Sequence, residues 1–250
     1  MATILLAGEQ VTAVSFDVKG FDYFGAHAYK EDGQALVQAL TDGGHTIEWM
    51  RTCEVPVHFP EELTALQRFA VVILSDVGSN SLLFHPEMLG QSVRHPNRLL
   101  LLRDYVRAGG ALLMVGGWMS FAGVDGRARY HRTPVEEALP VTCDPYDDRR
   151  EVPEGVTPDV VAPDHPVLSG MPADWPFFLG YNQVSAKADA SVLLRIGDDP
   201  LLAVWDYGQG RAAAFTSDCA PHWGPPEFLN WAGYPRLWNN LVGWLTREKD

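Results

Sequence analysis

Hydrophobic and polar positions alternate in blocks through the first half of the chain. Residues 4–7 form a short apolar run that ends in Gly8-Glu9. Residues 30–42 have the spacing of an amphipathic helix, with Ala35, Leu36, Ala39 and Leu40 on one face and Gly43-Gly44 as the stop. Residues 46–50 read as a second strand and 61–69 as a short helix. Residues 70–74 are a β-branched buried run ending in Ser75-Asp76. A helix over 97–108 turns Leu99, Leu102, Tyr105 and Val106 inward. The next buried strand, 111–115, ends in Gly116-Gly117.

Continuous apolar strands separated by helices predict a parallel sheet covered on both faces, an α/β doubly wound fold. In such sheets ligands bind beyond the carboxyl ends of the strands. That rule places Gly8-Glu9, Asp76 and residues 116–121 on one rim. The pattern changes over 122–178, which carries Pro134, Pro140, Pro145, Pro153, Pro158, Pro163, Pro166, Pro172 and Pro176. It reads as a loop-rich excursion with short β pieces. Strand-like runs follow at 180–186, 191–196, 201–206 and 212–216, the last two joined by a hairpin turn at 207–210. A helix over 235–247 closes the chain with an apolar stripe of Leu237, Trp238, Leu241, Val242 and Leu245. One domain over 1–250, with 122–178 as an insertion, accounts for the pattern.

Composition narrows the functions. The 250 residues carry a net charge of -13, with no cluster of Lys and Arg to offset it. A nucleic-acid or anionic-membrane partner would be repelled. No apolar run reaches a membrane span, and the N-terminus reads as a core strand rather than a signal peptide. Cys53, Cys143 and Cys219 are scattered and fit reduced cytoplasmic thiols better than a disulfide framework or a zinc site. The histidines form neither HxH nor HExxH. A metal site assembled from Asp17 or Asp22 with His27 has little support, and no cofactor is implied.

The most informative turn is Gly116-Gly117-Trp118-Met119-Ser120-Phe121. A strand that ends in small residues at a sheet rim is how nucleophile elbows expose one side chain. In that frame the nucleophile position falls on Trp118, which has no nucleophilic lone pair. Here the chain resembles the class I glutamine amidotransferase-like superfamily, and within it a bacterial family of glutamine amidotransferase-like proteins. The resemblance rests on Ser75-Asp76-Val77-Gly78-Ser79-Asn80, the 116–121 turn and Tyr130-His131-Arg132-Thr133-Pro134-Val135-Glu136. It continues through Asp147-Asp148-Arg149, Gly180-Tyr181-Asn182, Thr216-Ser217-Asp218 and Pro221-His222-Trp223, with the 231–244 tail. It implies a flavodoxin-like sheet. Glutaminases of the superfamily place Cys on the elbow, with His and Glu two apart after a late strand. Here Trp118 replaces Cys, and the late candidates His222 and Glu227 are five apart. His85-Pro86-Glu87 has the familiar spelling but precedes the elbow, so it reads as coincidence. The implied triad is degenerate.

Several residues keep two readings. Ser120 is either a cap of the following turn or a substitute nucleophile that needs His222 as base and Asp218 or Glu227 as orienter. Asp76, with Asn80 after it, and Asp218 are either turn residues or ligand contacts. His222, beside Trp223, is a pocket wall, a proton relay or a packed loop residue. Trp118, Trp223 and Trp231 are a platform for a sugar-like ligand or plain packing. Trp238 and Trp244 are packing or a subunit contact. Residues 147–151 read as a surface salt-bridge cluster. Three functions compete. The first is a protein without usual glutaminase activity that binds a small polar ligand at Asp76, Asn80, Trp118, Ser120, Asp218 and His222. The second is a hydrolase or isomerase on a carbohydrate-like or amide substrate; a trehalose-utilisation family shares the superfamily. The third is a structural or assembly subunit, with a second copy of the chain as a candidate partner.

Overall fold

The computed structural model describes residues 1–248. Its strands, in chain order, are β1 (Thr3–Gly8), β2 (Gln10–Lys19), β3 (Asp22–Glu31), β4 (Thr46–Met50), β5 (Val71–Ser75), β6 (Ala111–Val115), β7 (Val141–Cys143), β8 (Arg149–Val156), β9 (Asp159–Val160), β10 (Phe178–Asn182), β11 (Val184–Ala186), β12 (Ser191–Ile196), β13 (Asp199–Tyr207) and β14 (Gly210–Phe215). Eight of them form one sheet in the order β4-β1-β5-β6-β14-β13-β12-β9. The first five run parallel. The last three extend the sheet antiparallel. This is the doubly wound arrangement that the apolar runs predict, in the flavodoxin-like form that the resemblance implies. The chain moves outward from β1 to β4, then returns to place β5 on the other side of β1. The strand order therefore reverses between β1 and β5, where such sheets form a crevice.

Both faces of the sheet are covered, which is why β5 and β6 are buried at every position. Ile4, Leu6, Ile73 and Leu113 point to one face, under Leu36, Leu40, Leu237, Trp238 and Leu241 of helices Gln34–Asp42 and Tyr234–Leu245. Leu5, Ala7, Val72 and Leu112 point to the other, under Leu99, Leu102, Tyr105 and Val106 of helix Arg98–Arg107. Asn97 caps that last helix by accepting from the Leu99 and Leu100 N–H groups. Each fully buried leucine contributes about 2 kcal/mol. Trp238 and Trp244 are both buried in the first core, so they pack within the chain.

Two sequence expectations need correction. The helix expected over 30–42 starts at Gln34, because residues 22–31 are β3. β2 and β3 form a two-stranded antiparallel ribbon that pairs with no other strand among the described residues. It turns tightly at Gly20-Phe21, with Gly20 at φ 63, and every residue from 11 to 30 is exposed. The run expected as one strand over 180–186 is two, parted at Gln183. β10 pairs with β8, and β11 pairs with β7. The proline-rich excursion is thereby stitched to the chain that follows it.

Candidate functional site

The crevice at the strand reversal is built by backbone constraint. Gly8 ends β1 at φ 123, and a Cβ there would lie 1.6 Å from the Ser75 carbonyl oxygen, so only glycine fits. Glu9 follows at φ 57, and its N–H donates to that same carbonyl at 3.2 Å. Asp76, the residue after Ser75, sits at φ 46. Two carboxylates thus leave neighbouring strands in left-handed backbone, which costs non-glycine residues about 1 kcal/mol each. Such strain gathers at functional sites.

Asp218 follows the end of β14 and completes the row. Its Oδ1 accepts from the Ala220 N–H at 2.9 Å. His222 lies over it at φ 129, with Nδ1 4.0 Å from Asp218 Oδ2 and Nε2 3.9 Å from Glu151 Oε2. Its ring meets the Trp118 ring edge-on at 5.0 Å and stacks on Trp223 at 5.0 Å. Trp118 is 45% exposed, and the Arg149 guanidinium stands 5.0 Å from its ring centre. Glu9, Val11, Asp32, Asp76, Trp118, Asp218, Pro221 and His222 enclose a cavity of about 250 Å³.

The electrostatics are unbalanced. Burial, with Asp76 close by, pushes the Glu9 carboxyl from 4.5 to about 8, although the Ser75 hydroxyl donates to it. Burial and the Glu9 charge raise Asp218 well above the usual carboxylate range, and burial raises Asp76. Burial lowers His222. Asp32 is a further carboxylate on the cavity wall. Among the described residues no Lys or Arg lines the cavity.

The turn after β6 carries Trp118 but is not a strand-to-helix elbow. No α-helix follows until Pro134–Ala138. The loop is held from beneath. The Gly117 N–H donates to Asn182 Oδ1 at 3.0 Å, and Asn182 Nδ2 donates to Asp148 Oδ1 at 2.8 Å. Asp148 also accepts from the Ala122 and Gly123 N–H groups. Burial raises its carboxyl to about 6. Asp148 is therefore a buried brace, and the expected surface cluster reduces to the ion pairs Arg149–Asp147 at 2.8 Å and Arg149–Glu151 at 3.8 Å.

The structure gathers four of the residues singled out in the sequence: Asp76, Trp118, Asp218 and His222 line one cavity. Ser120 does not join them. It is 2% exposed, its Oγ donates to the Val115 carbonyl at 2.6 Å, and it accepts from the Asp76 N–H at 3.1 Å. Glu227 is exposed on helix Pro226–Leu229, outside the cavity. Asn80 opens instead on a separate cavity of about 440 Å³ with Ser79, Arg129, His131 and Asp144. Trp223 is buried beneath His222, and Trp231 packs on Trp175 at 4.7 Å, so neither forms an aromatic platform with Trp118. His85 caps helix Pro86–Gln91 through its ring nitrogen. Glu9 and Asp32 are the residues whose part in the cavity the sequence did not reveal; Glu9 was legible only as a rim position.

Among the described residues, two groups hold metal-donor atoms within 4.8 Å of one another. Glu9, Asp218 and Cys219 lie under the crevice, and Glu61, His85 and His95 lie away from it. In the second group His95 Nδ1 is already 2.8 Å from Glu61 Oε1, and the two imidazoles stack at 3.9 Å. Asp17, Asp22 and His27 are spread along the ribbon and form no such group.

A family model described as "Putative glutamine amidotransferase" (GATase1_like) matches residues 3–247. The chain belongs to that glutamine amidotransferase-like family. No curated protein matches it in sequence. Two solved structures are similar over their whole length: "Cytoplasmic Protein STM3548 from Salmonella typhimurium" and "Cytoplasmic Protein STM1381 from Salmonella typhimurium LT2". The first is 42% identical over 97% of this chain and 98% of that one, with a TM-score of 0.93. The second is 37% identical over 97% and 99%, also with a TM-score of 0.93. A ThuA-like protein from Parabacteroides merdae shares the fold at 14% identity, over 99% of this chain and 91% of that one, with a TM-score of 0.57. Within this glutamine amidotransferase-like chain no helix of the described residues is long and apolar enough to cross a membrane. The Cys219 thiol is buried against Glu9 and Asp218, and burial holds it well above its ordinary pKa. A thiol in that state is inert as a nucleophile.

Proposed function

We propose that this family member does not hydrolyse glutamine through a thiolate and instead binds a small, polar, positively charged ligand in the strand-reversal crevice. The observation that carries this is the composition of the cavity wall. It has four carboxylates, one exposed indole and, among the described residues, no Lys or Arg. An ammonium or guanidinium group would favour the charged forms of Glu9, Asp76 and Asp218, which burial disfavours, and it would lie against the Trp118 face. A volume of about 250 Å³ falls just under the usual range for small-molecule pockets and suits an amino-acid-sized molecule. Two similar proteins are titled cytoplasmic, and a cytoplasmic setting fits three free thiols in this chain.

A second reading draws on the opposed pKa shifts. Near neutral pH, Glu9 holds its proton while His222 is free to accept one, and both face the same cavity. That pairing suits acid–base work on a bound hydrolase or isomerase substrate.

Thermal-shift screening against amines, amino acids, guanidines, neutral sugars and divalent cations tests the first reading, followed by calorimetry in buffers of different ionisation enthalpy. A cationic hit should release protons on binding, because Glu9 ionises beside it. Asp218→Asn and Trp118→Ala should weaken it at least about tenfold. Stabilisation by neutral sugars alone would overturn the cationic reading. Clear glutaminase activity in the wild type would overturn the loss of glutaminase chemistry.

A further inference from the structure

The β2–β3 ribbon is amphipathic in a way its exposure does not explain. Directly opposed residues in an antiparallel pair share a face. Thr12↔Tyr29, Val14↔His27, Phe16↔Gly25 and Val18↔Tyr23 therefore define one side, and Ala13↔Ala28, Ser15↔Ala26, Asp17↔Phe24 and Lys19↔Asp22 the other. The first side carries Val14, Phe16, Val18, Tyr23 and Tyr29, each between 51% and 75% exposed, with Phe21 bare at the tip. The second is made mainly of small and charged residues. A lone two-stranded hairpin is marginal in water, and this one has an uncovered apolar face.

We propose that this face is the interface between two copies of the chain. Three observations select that occupant. The apolar side chains of the face and tip expose roughly 800 Å², close to what each partner buries in a stable complex. The chain carries a net charge of -13, whereas β2 and β3 hold Asp17, Asp22 and Glu31 against Lys19 and Lys30. Two like-charged bodies repel, and the near-neutral ribbon is where they meet at least cost. A cationic partner would instead be drawn to the acidic body. Finally, one patch whose Val14, Phe16, Val18, Tyr23 and Tyr29 share a face can pair with its own copy about a twofold axis, as an isologous contact requires. A lipid surface is disfavoured because the acidic body would face anionic headgroups.

The test is sedimentation equilibrium and light scattering on the full chain, comparing wild type with Phe16→Glu and Val18→Lys. Both side chains are exposed, so the fold should survive, and an unchanged far-UV spectrum and melting temperature check this. The wild type should be dimeric at micromolar concentration. Each substitution counts twice in a twofold contact and should weaken dimerisation about a thousandfold. As a second variant, replacing residues 11–30 by a short Gly-Ser linker should also give a monomer. A monomeric wild type would overturn the proposal, as would a dimer that survives all three changes. Recruitment of a monomeric wild type to zwitterionic vesicles, lost in Phe16→Glu, would assign the face to lipid instead.

Discussion

Glu9→Gln isolates the consequence of the buried carboxylate cluster. The Glu9 carboxyl titrates at about 8 in the fold against 4.5 ordinarily, chiefly because burial penalises its charge. Between those values the folded chain holds a proton that the unfolded chain has released. Stability from this group is therefore full below its ordinary value and is lost as pH rises through about 8. At about 1.4 kcal/mol per pH unit, with partial titration at both ends, the loss between about pH 5 and about pH 8 is roughly 3–4 kcal/mol. For a chain of this size that is a fall in melting temperature of roughly 6–16 °C. Glutamine keeps the shape and the Ser75 hydrogen bond but cannot ionise. It also removes part of the field that raises Asp218. Differential scanning calorimetry of both proteins across that window should show a clearly shallower decline for Glu9→Gln than for wild type, the remainder coming from buried Asp218 and Asp76. Parallel curves for the two proteins, or a wild type that gains stability with rising pH, would refute the placement of Glu9 as a buried, protonated group.

Other perturbations probe the supports of the site. Asp148→Ala leaves the Ala122 and Gly123 N–H groups and Asn182 Nδ2 without their acceptor, which should cost about 3 kcal/mol and loosen the Trp118 loop, read as faster amide exchange over residues 117–123. Gly8→Ala drives a Cβ into the Ser75 carbonyl at a left-handed position, so the soluble yield should collapse or the midpoint in urea should drop by several kcal/mol equivalent. Ser120→Ala should lower stability by about 1–3 kcal/mol, measured by urea unfolding, while ligand affinity stays within about threefold, because the hydroxyl serves the turn and not the cavity.

The parallel half of the sheet was legible because its strands are continuous apolar runs and its helices keep one apolar stripe. The rim followed from topology, so Asp76, Trp118, Asp218 and His222 could be named together. Ser120 kept two readings because a hydroxyl near a rim has the same spelling whether it caps a turn or faces a ligand. Its two hydrogen bonds within the turn decide the matter, and they depend on loop geometry. Asp148 looked like a surface charge because its neighbours Asp147 and Arg149 are one. Only the fold shows it turned inward beneath the loop. The ribbon was missed because its apolar positions face solvent, so burial does not enforce their period-two pattern. Its end also runs into the amphipathic stretch that begins the next helix.

That ribbon begins and ends almost at one point. The Asp32 N–H donates to the Glu9 carbonyl at 3.1 Å, closing the base of a 22-residue excursion whose end residues Gln10 and Glu31 are bonded to Thr52, Cys53 and Arg51. A segment tied off in this way behaves as a cassette. It can be lengthened, trimmed or replaced without altering a single strand of the main sheet. Yet its two feet are Glu9 and Asp32, both walls of the crevice, and Val11 on its first strand is a third. Grafting a different ribbon here would therefore change what stands beside the pocket while leaving the carboxylate floor intact, a route by which one scaffold can acquire new neighbours and keep its ligand.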